Sequence, residues 1–360
     1  MRLIKNPLRG RGLPPGIAIS EGEVCTDASA AIALYKMCPA GHRTPLTPLP
    51  GLAAELGVAS VVIKDERARM GLGSFKALGA AHAIAKLAAK RVADGSAKDY
   101  ADALKGETFV CASAGNHGLS VAAGAPVFGA KAAVYLAETV PEDFAERLRG
   151  KGADVVRAGA IYEESMAAAA HDAERNGWRL LSDSSWIGYW EPARDVMEGY
   201  LIMAAEVADE IDAVPTHVFL QAGVGGLAAA CTAMVRERWG DAVHVCVVEP
   251  EAAPALIESI EAGKPVTTEG PVSSMGRLDC KEPSHLALKY LAREADSFMT
   301  VTEGEAADAV ARYARHGIAI SPSAGAALAG LVTAKAADAI DGLGPEARIL
   351  FYVSEGAIDD

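Results

Sequence analysis

Lys76 stands directly after Gly71-Leu72-Gly73-Ser74-Phe75 and before the small-residue run Ala77-Leu78-Gly79-Ala80-Ala81. A primary amine in small, apolar surroundings is partly desolvated, which lowers its pKa and favours the neutral form that attacks a carbonyl. The stretch that follows also carries Lys86 and Lys90, so the setting of Lys76 singles it out, not its residue type. A second stretch, Gln221-Ala222-Gly223-Val224-Gly225-Gly226, follows the apolar Val218-Phe219-Leu220 and precedes an alanine-rich run. Glycines at a strand-to-helix turn let amide N–H groups and the helix dipole approach an anion. They equally make a plain tight turn, and the stretch is neither a P-loop nor a full dinucleotide fingerprint. A third stretch, Ser113-Ala114-Gly115-Asn116-His117-Gly118, has amides that can bind a carboxylate and an Asn116 that can hydrogen-bond a phenolic or carbonyl oxygen. Ser113 also suits a helix cap, and His117 suits an orienting or packing role better than that of a general base.

Positioning these turns requires alternating strands and helices. Short β-branched or apolar runs at 58–64, 108–112, 131–137, 154–157, 217–221, 243–249, 298–301 and 348–354 predict strands. Helical patterns occupy 77–89, 118–125, 141–150, 161–176, 194–210, 227–239, 303–316 and 324–338. Pro141 falls in a first turn and Gly177 closes a helix, as these residues favour. Residues 1–50 read as irregular apart from a short helix at 28–37, because prolines interrupt them; 44–49 must be largely extended. Residues 262–283, rich in Gly and Pro, predict a long loop over the site. Most strands being continuous apolar runs, the chain is α/β with largely parallel sheets covered on both faces.

At 360 residues the chain can bury a large core, and 51% apolar with 22% charged residues and a mean hydropathy of +0.16 suit a globular enzyme. A net charge of −13 argues against a nucleic-acid partner, which needs clustered Lys and Arg. The six cysteines form no CxxC pair and no His-spaced cluster, so reduced core thiols and no metal are expected. No apolar run approaches the roughly 18 residues of a membrane span. The basic N-terminus lacks an apolar signal core, so the expected location is the cytoplasm.

Taken together and in this order, the Ser-Phe-Lys lysine, the Ser-x-Gly-Asn-His turn, the glycine loop and a late serine, Ser354, resemble the fold-type II pyridoxal phosphate enzymes. This tryptophan-synthase-β-like group includes the serine and threonine dehydratases, and the resemblance covers roughly residues 40–360. Within it the chain is most similar to the diaminopropionate ammonia-lyases. The stretches 44–49, 64–72, 221–225 and 275–283 carry that likeness, with Asp183, Trp186, Gly188-Tyr189, Met197-Glu198-Gly199-Tyr200 and the terminal 354–359.

The resemblance implies two doubly wound, mainly parallel domains with pyridoxal phosphate in the cleft between them. The smaller would be 79–191, inserted into the larger, formed by 1–78 and 192–360, and the molecule would be a homodimer without a separate regulatory module. By the same resemblance Lys76, next to Phe75, tethers the cofactor; Gly223, Val224, Gly225 and Gly226 with Leu227 hold its phosphate. Asn116 contacts the ring O3′ and Ser354 faces the ring nitrogen. The substrate, a small amino acid, would meet Ser113, Ala114, Gly115, His117 and Asp183, the last binding its side-chain ammonium or assisting catalysis. The family pattern has an acid where this chain has Ala114; that acid serves the D-isomer, so an L-selective enzyme or a different substrate is implied. The implied reaction is β-elimination of an L-α-amino acid to a 2-oxo acid and ammonia, foremost L-2,3-diaminopropionate to pyruvate. Dehydration of serine, threonine or hydroxyaspartate, or elimination from an N-substituted diaminopropionate, stands as the alternative, and a protein that binds the cofactor without turnover as a further one.

Overall fold

Strand residues alternate between two buried faces, and that alternation sets the layers of the molecule. In the large sheet Val218, Leu220, Val245 and Leu350 enter one apolar cluster, while Phe219, Cys246, Val248 and Phe351 enter another. Strands buried on both sides read as unbroken apolar runs and need helices on each face. The structure, a computed structural model, describes residues 2–357; Ile358 and Asp359, at the end of the stretch likened to the ammonia-lyases, lie outside them.

The large sheet joins β1 (Leu3–Lys5), β2 (Leu46–Pro48), β3 (Ser60–Asp65), β8 (His217–Gln221), β9 (His244–Pro250), β10 (Ser297–Val301) and β11 (Arg348–Val353). Its seven strands run β1-β10-β9-β8-β11-β3-β2, parallel except for antiparallel β1 and β2 at the two edges. The small sheet is wholly parallel in the order β6-β5-β4-β7, from β4 (Thr108–Ala112), β5 (Lys131–Leu136), β6 (Asp154–Arg157) and β7 (Arg179–Leu180). Both sheets are therefore α/β and mainly parallel, as the sequence implies.

Helices α1 (Ser29–Lys36), α2 (Pro50–Leu56), α3 (Lys76–Ala93) and α4 (Asn116–Gly124) precede α5 (Glu142–Arg149), α6 (Tyr162–Asn176) and α7 (Glu191–Glu210). After them come α8 (Gly226–Trp239), α9 (Ala255–Ala262), α10 (His285–Glu294), α11 (Glu303–Arg315) and α12 (Pro322–Ala336). Leu52, Tyr313 and Leu328 of α2, α11 and α12 fill one face of the large sheet; Leu201, Ala229 and Leu288 of α7, α8 and α10 fill the other. Helix α3 is pressed against α7 where neither carries a side chain: a Cβ on Gly79 would come within 2.6 Å of the Tyr200 ring, and one on Gly199 within 2.4 Å of the Leu78 carbonyl.

The N-terminal segment is more regular than its prolines suggest. Residues 3–5 form an edge strand rather than irregular chain, pairing Leu3 with Met299, and 46–48 pair with 62–64. Pro50, read as a breaker, opens α2, where its missing N–H costs nothing. Residues 263–284 contain no helix or strand, and part of this loop lies over the glycine turn, where Arg277, Leu278 and Cys280 crowd Gly223.

Candidate active site

Each chemistry-bearing segment leaves the carboxyl end of a parallel strand. The Lys76 turn follows β3, the Ser113 turn follows β4, Asp183 follows β7, the glycine turn follows β8 and Ser354 follows β11. β8 and β11 are neighbours although the chain leaves β8 for β9 on its other side, and β4 and β7 are related in the same way. Parallel sheets open a crevice at such a switch in strand order. Here Gln221 spans it, donating from Nε2 to the Tyr352 carbonyl at 2.8 Å.

Lys76 is the first residue of α3, and its Nζ pairs with the Asp183 carboxylate. The amine also lies 5.2 Å from the centre of the Phe75 ring and 5.6 Å from that of Tyr200. About a fifth of each charged side chain is exposed (21% and 22%), so the pair faces a recess open to solvent. Burial disfavours both charges, but each stabilises the other more strongly: Lys76 is held above the ordinary lysine value and Asp183 below the carboxylate range. The neutral, lowered-pKa amine expected from the small-residue surroundings is thus reversed by a carboxylate 107 positions away. Nothing local to Lys76 announces that partner.

The Asp183 loop is fixed by its aromatic residues. Trp186 and Tyr189 exchange backbone hydrogen bonds of 2.9 Å around Gly188, whose φ of +82° favours glycine. The Tyr189 hydroxyl accepts from the Ser182 amide at 2.8 Å and donates to the Leu180 carbonyl at 3.0 Å. Ser185 shares a 2.8 Å hydroxyl contact with Ser284, whose amide donates to the Val224 carbonyl. That chain of contacts ties the loop to the glycine turn.

The glycine turn has an anion cradle's shape. Gly225 caps α8 at φ +98°, and among the described residues the amides of Gly223, Gly225, Gly226 and Leu227 donate to no other group. A Cβ on Gly223 would lie 2.9 Å from Cys280 Sγ and 3.1 Å from the Arg277 carbonyl. Burial pushes the Cys280 thiol up to about 12, so it stays protonated at neutral pH. Leu227 is buried in the core and only its backbone can face the turn. Tyr200 links turn and lysine: its ring is 4.8 Å from Phe75 and 3.5 Å from where a Gly226 Cβ would sit.

On the opposite side, Ser113 Oγ accepts from the amides of Gly115 (3.2 Å) and Gly118 (3.1 Å), tightening the entry to α4. Asn116 donates to the Glu355 carboxylate, which also accepts from Ser321 at 2.5 Å. His117 is buried behind the turn, its Nε2 2.8 Å from the Leu181 carbonyl, which suits packing and orientation. Ala114 is exposed, and its carbonyl accepts from Arg277 Nη1 at 3.2 Å. Ser354 is buried beside the lysine helix, its carbonyl accepting from the Phe75 amide at 3.0 Å. The fold thus brings every singled-out segment to one crevice. Tyr200, Arg277 and Glu355 join them without having been given roles, although all three lie in stretches that carry the family likeness. Among the described residues no group of three or more His, Cys, Asp or Glu could hold a metal ion, and no helix is long and apolar enough to cross a membrane.

Residues 37–355 match the family described as pyridoxal-phosphate dependent enzyme. The diaminopropionate ammonia-lyase of Salmonella typhimurium is 32% identical over 289 residues, 76% of this chain and 72% of that protein. The biosynthetic L-threonine dehydratase of Mycobacterium bovis is 29% identical over 84% of this chain and 66% of its own length. Among solved structures, the Escherichia coli diaminopropionate ammonia-lyase in complex with an aminoacrylate–PLP azomethine reaction intermediate superposes with a TM-score of 0.85 at 25% identity, covering 99% of this chain and 93% of that one.

Proposed function

The chain belongs to the family of pyridoxal-phosphate dependent enzymes, and we propose that its crevice carries out β-elimination on an L-α-amino acid, foremost L-2,3-diaminopropionate. The observation that carries this reading is the convergence of Lys76, Asp183 and an amide cradle on one recess, with Tyr200 between them. The cofactor fits that recess: unbonded amides at Gly223 and Gly225–Leu227 suit its phosphate, and the Lys76 amine suits its aldehyde. Phe75 and Tyr200 wall the amine's end, Asn116 suits the ring oxygen, and Ser354 the ring nitrogen. When bound, the cofactor supplies an electron sink for the pair left by a breaking Cα–H bond.

The protein's own residues supply geometry and proton transfer. Of the Ser113–Gly118 turn, the amides of Ala114, Asn116 and His117, which donate to no other group among the described residues, hold the substrate carboxylate. Lys76 Nζ, freed of its tether, takes the α-proton, and the Asp183 carboxylate stabilises the resulting ammonium until the proton passes to the departing group. With diaminopropionate the Cβ–N bond breaks and ammonia leaves. The enamine product then takes up water to give pyruvate and a second ammonia. A neutral Ser354 hydroxyl facing the ring nitrogen would leave the ring weakly polarised, which would favour prompt loss of a leaving group. With Ala114 in place of an acid, one base serves one face, which selects the L-isomer. The crevice lies between a small unit of 79–191 and a large unit of 1–78 and 192–360, in a cytoplasmic homodimer.

The similarity to a threonine dehydratase, together with Ala114, favours one second reading: the same elimination with water as leaving group. Purified protein loaded with pyridoxal phosphate and offered diaminopropionate, serine and threonine separates the two by ammonia and 2-oxo acid formed. Diaminopropionate is expected to be preferred, and Lys76→Ala to abolish turnover. A clear preference for a hydroxy amino acid overturns the assignment.

A further inference from the structure

The crevice contains a guanidinium that the elimination chemistry leaves unused. Arg277 reaches from the loop over the glycine turn to the Ser113–Gly118 turn, pinned through its own amide, which donates to Ser323 Oγ at 3.1 Å. Its Nη1 donates to the Ala114 carbonyl and would lie 3.3 Å from a Cβ on Gly115. Of its five side-chain N–H groups, that is the one bonded among the described residues; Nε is buried without a partner. Nε itself faces the Glu355 carboxylate at 3.8 Å, an ion pair too long for a hydrogen bond, and that carboxylate already accepts from Asn116 and Ser321. The side chain is a third exposed, and its Nη1–Nη2 edge, with one N–H given to Ala114, still offers two parallel N–H groups that fit a carboxylate. The adjoining residue that could have supplied that carboxylate is Ala114, which has none.

We propose that Arg277 is a specificity residue that receives a second carboxylate of the substrate, so that the crevice accepts dicarboxylic L-amino acids alongside diaminopropionate. The inference rests on the elimination reading of the site and widens its substrate class. The second carboxylate is borne either on Cβ, as in 3-hydroxyaspartate, or on the departing nitrogen, as in a 3-N-carboxyalkyl diaminopropionate. In either case the α-proton leaves as H⁺, the Cβ–O or Cβ–N bond breaks with its electron pair on the leaving group, and that group departs as water or as the protonated amine. Hydrolysis of the enamine consumes one water and gives the 2-oxo acid and ammonia.

The test measures kcat/KM of the loaded enzyme for L-2,3-diaminopropionate, 3-hydroxy-L-aspartate and 3-N-carboxymethyl-L-2,3-diaminopropionate. Alongside it, L-aspartate and L-alanine, neither carrying a leaving group, are titrated against the cofactor absorption band. At least one dicarboxylic substrate is expected to be turned over with a kcat/KM comparable to that of diaminopropionate, and L-aspartate to bind about tenfold tighter than L-alanine, as two charge-assisted hydrogen bonds allow. Arg277→Gln is expected to lower both ratios and Arg277→Lys to keep part of them. Ala114→Asp, which places a carboxylate beside the fork, is expected to erase the aspartate preference and serves where Arg277→Gln does not fold. Equal losses on all substrates, or no aspartate preference in the unaltered protein, overturn the proposal. Absence of turnover on every amino acid, with the aspartate preference intact, would sink the elimination reading and leave the role of Arg277 standing.

Discussion

Gly223 is the residue where sequence and packing make the same demand. Any side chain there drives into Cys280 Sγ, the Arg277 carbonyl and the Leu278 Cα, all about 3 Å from the missing Cβ. Two of the three are backbone atoms of one loop, so relief requires moving that loop, at roughly 1–3 kcal/mol. Gly223→Ala is therefore expected to fold yet weaken pyridoxal phosphate binding about tenfold or more, 1.4 kcal/mol being a factor of ten. Absorbance titration of the cofactor checks this, and an unchanged affinity would mean that the loop yields freely. Glycine-rich turns advertise such constraints in sequence, which is why this one was legible. The protonation state of Lys76 was not. Its small neighbours argue for a neutral amine, and the charge that reverses the argument arrives from a loop after β7. Tyr200 and Glu355 lie in stretches that carry the family likeness, yet neither sits in a motif with a chemical signature of its own, so their place in the crevice shows only in the fold.

Helices α3 and α7 are the elements that set the lysine. Their glycine contact lets Tyr200 on α7 lie along the start of α3, facing Phe75 and Lys76. Gly199→Ala puts a methyl group 2.4 Å from the Leu78 carbonyl, where no side-chain rotation helps. It is expected to cost roughly 2–3 kcal/mol in denaturant unfolding and to lower turnover by shifting Tyr200; full stability would mean that α3 and α7 do not meet at Gly199. The same interface carries a pH signature. Glu198, nearly buried on α7, faces His82 at 3.5 Å and Lys86 across from it on α3. Burial alone would raise its pKa, but His82 and Lys86 pull it down to about 2. A folded-state value below the unfolded one of about 4.3 adds stability that is present above that value and is lost as pH falls toward 2. Lys86 is partly exposed, so the contribution is on the order of 2 kcal/mol. Unfolding midpoints measured from pH 6 down to pH 2 should fall less steeply in Glu198→Gln than in the unaltered chain. At this scale the long periodic helices and the apolar parallel strands were readable from sequence. The three-residue edge strand at 3–5 was not, because a strand that short is defined by its partner at 297–299. Helices α9 and α10 flank the loop expected at 262–283, in stretches for which the sequence suggests no element.

At the scale of the molecule, the crevice is assembled from the ends of strands in two separate sheets. The Lys76 turn, the glycine turn and Ser354 come from the large sheet, and Asp183 and the Ser113 turn from the small one. A ligand that touches both sets binds the folded arrangement and not the unfolded chain, so it stabilises by RT ln(1 + [L]/Kd), about 2.7 kcal/mol at a hundredfold excess over Kd. Stripping the cofactor with hydroxylamine and dialysis should lower Tm by a few degrees, and adding pyridoxal phosphate back should restore it. Lys76→Ala separates the tether from the cradle: with the amides of Gly223 and Gly225–Leu227 intact, it should recover part of the shift but not all of it. A net charge of −13 works against a dianionic phosphate over long range and should be screened by salt. The recovered shift in Lys76→Ala should therefore grow with ionic strength if the local amide dipoles do the holding. If the cofactor left Tm unmoved at every salt concentration in the unaltered protein, the two sheets would not be joined through this crevice, and the site would have to be sought elsewhere.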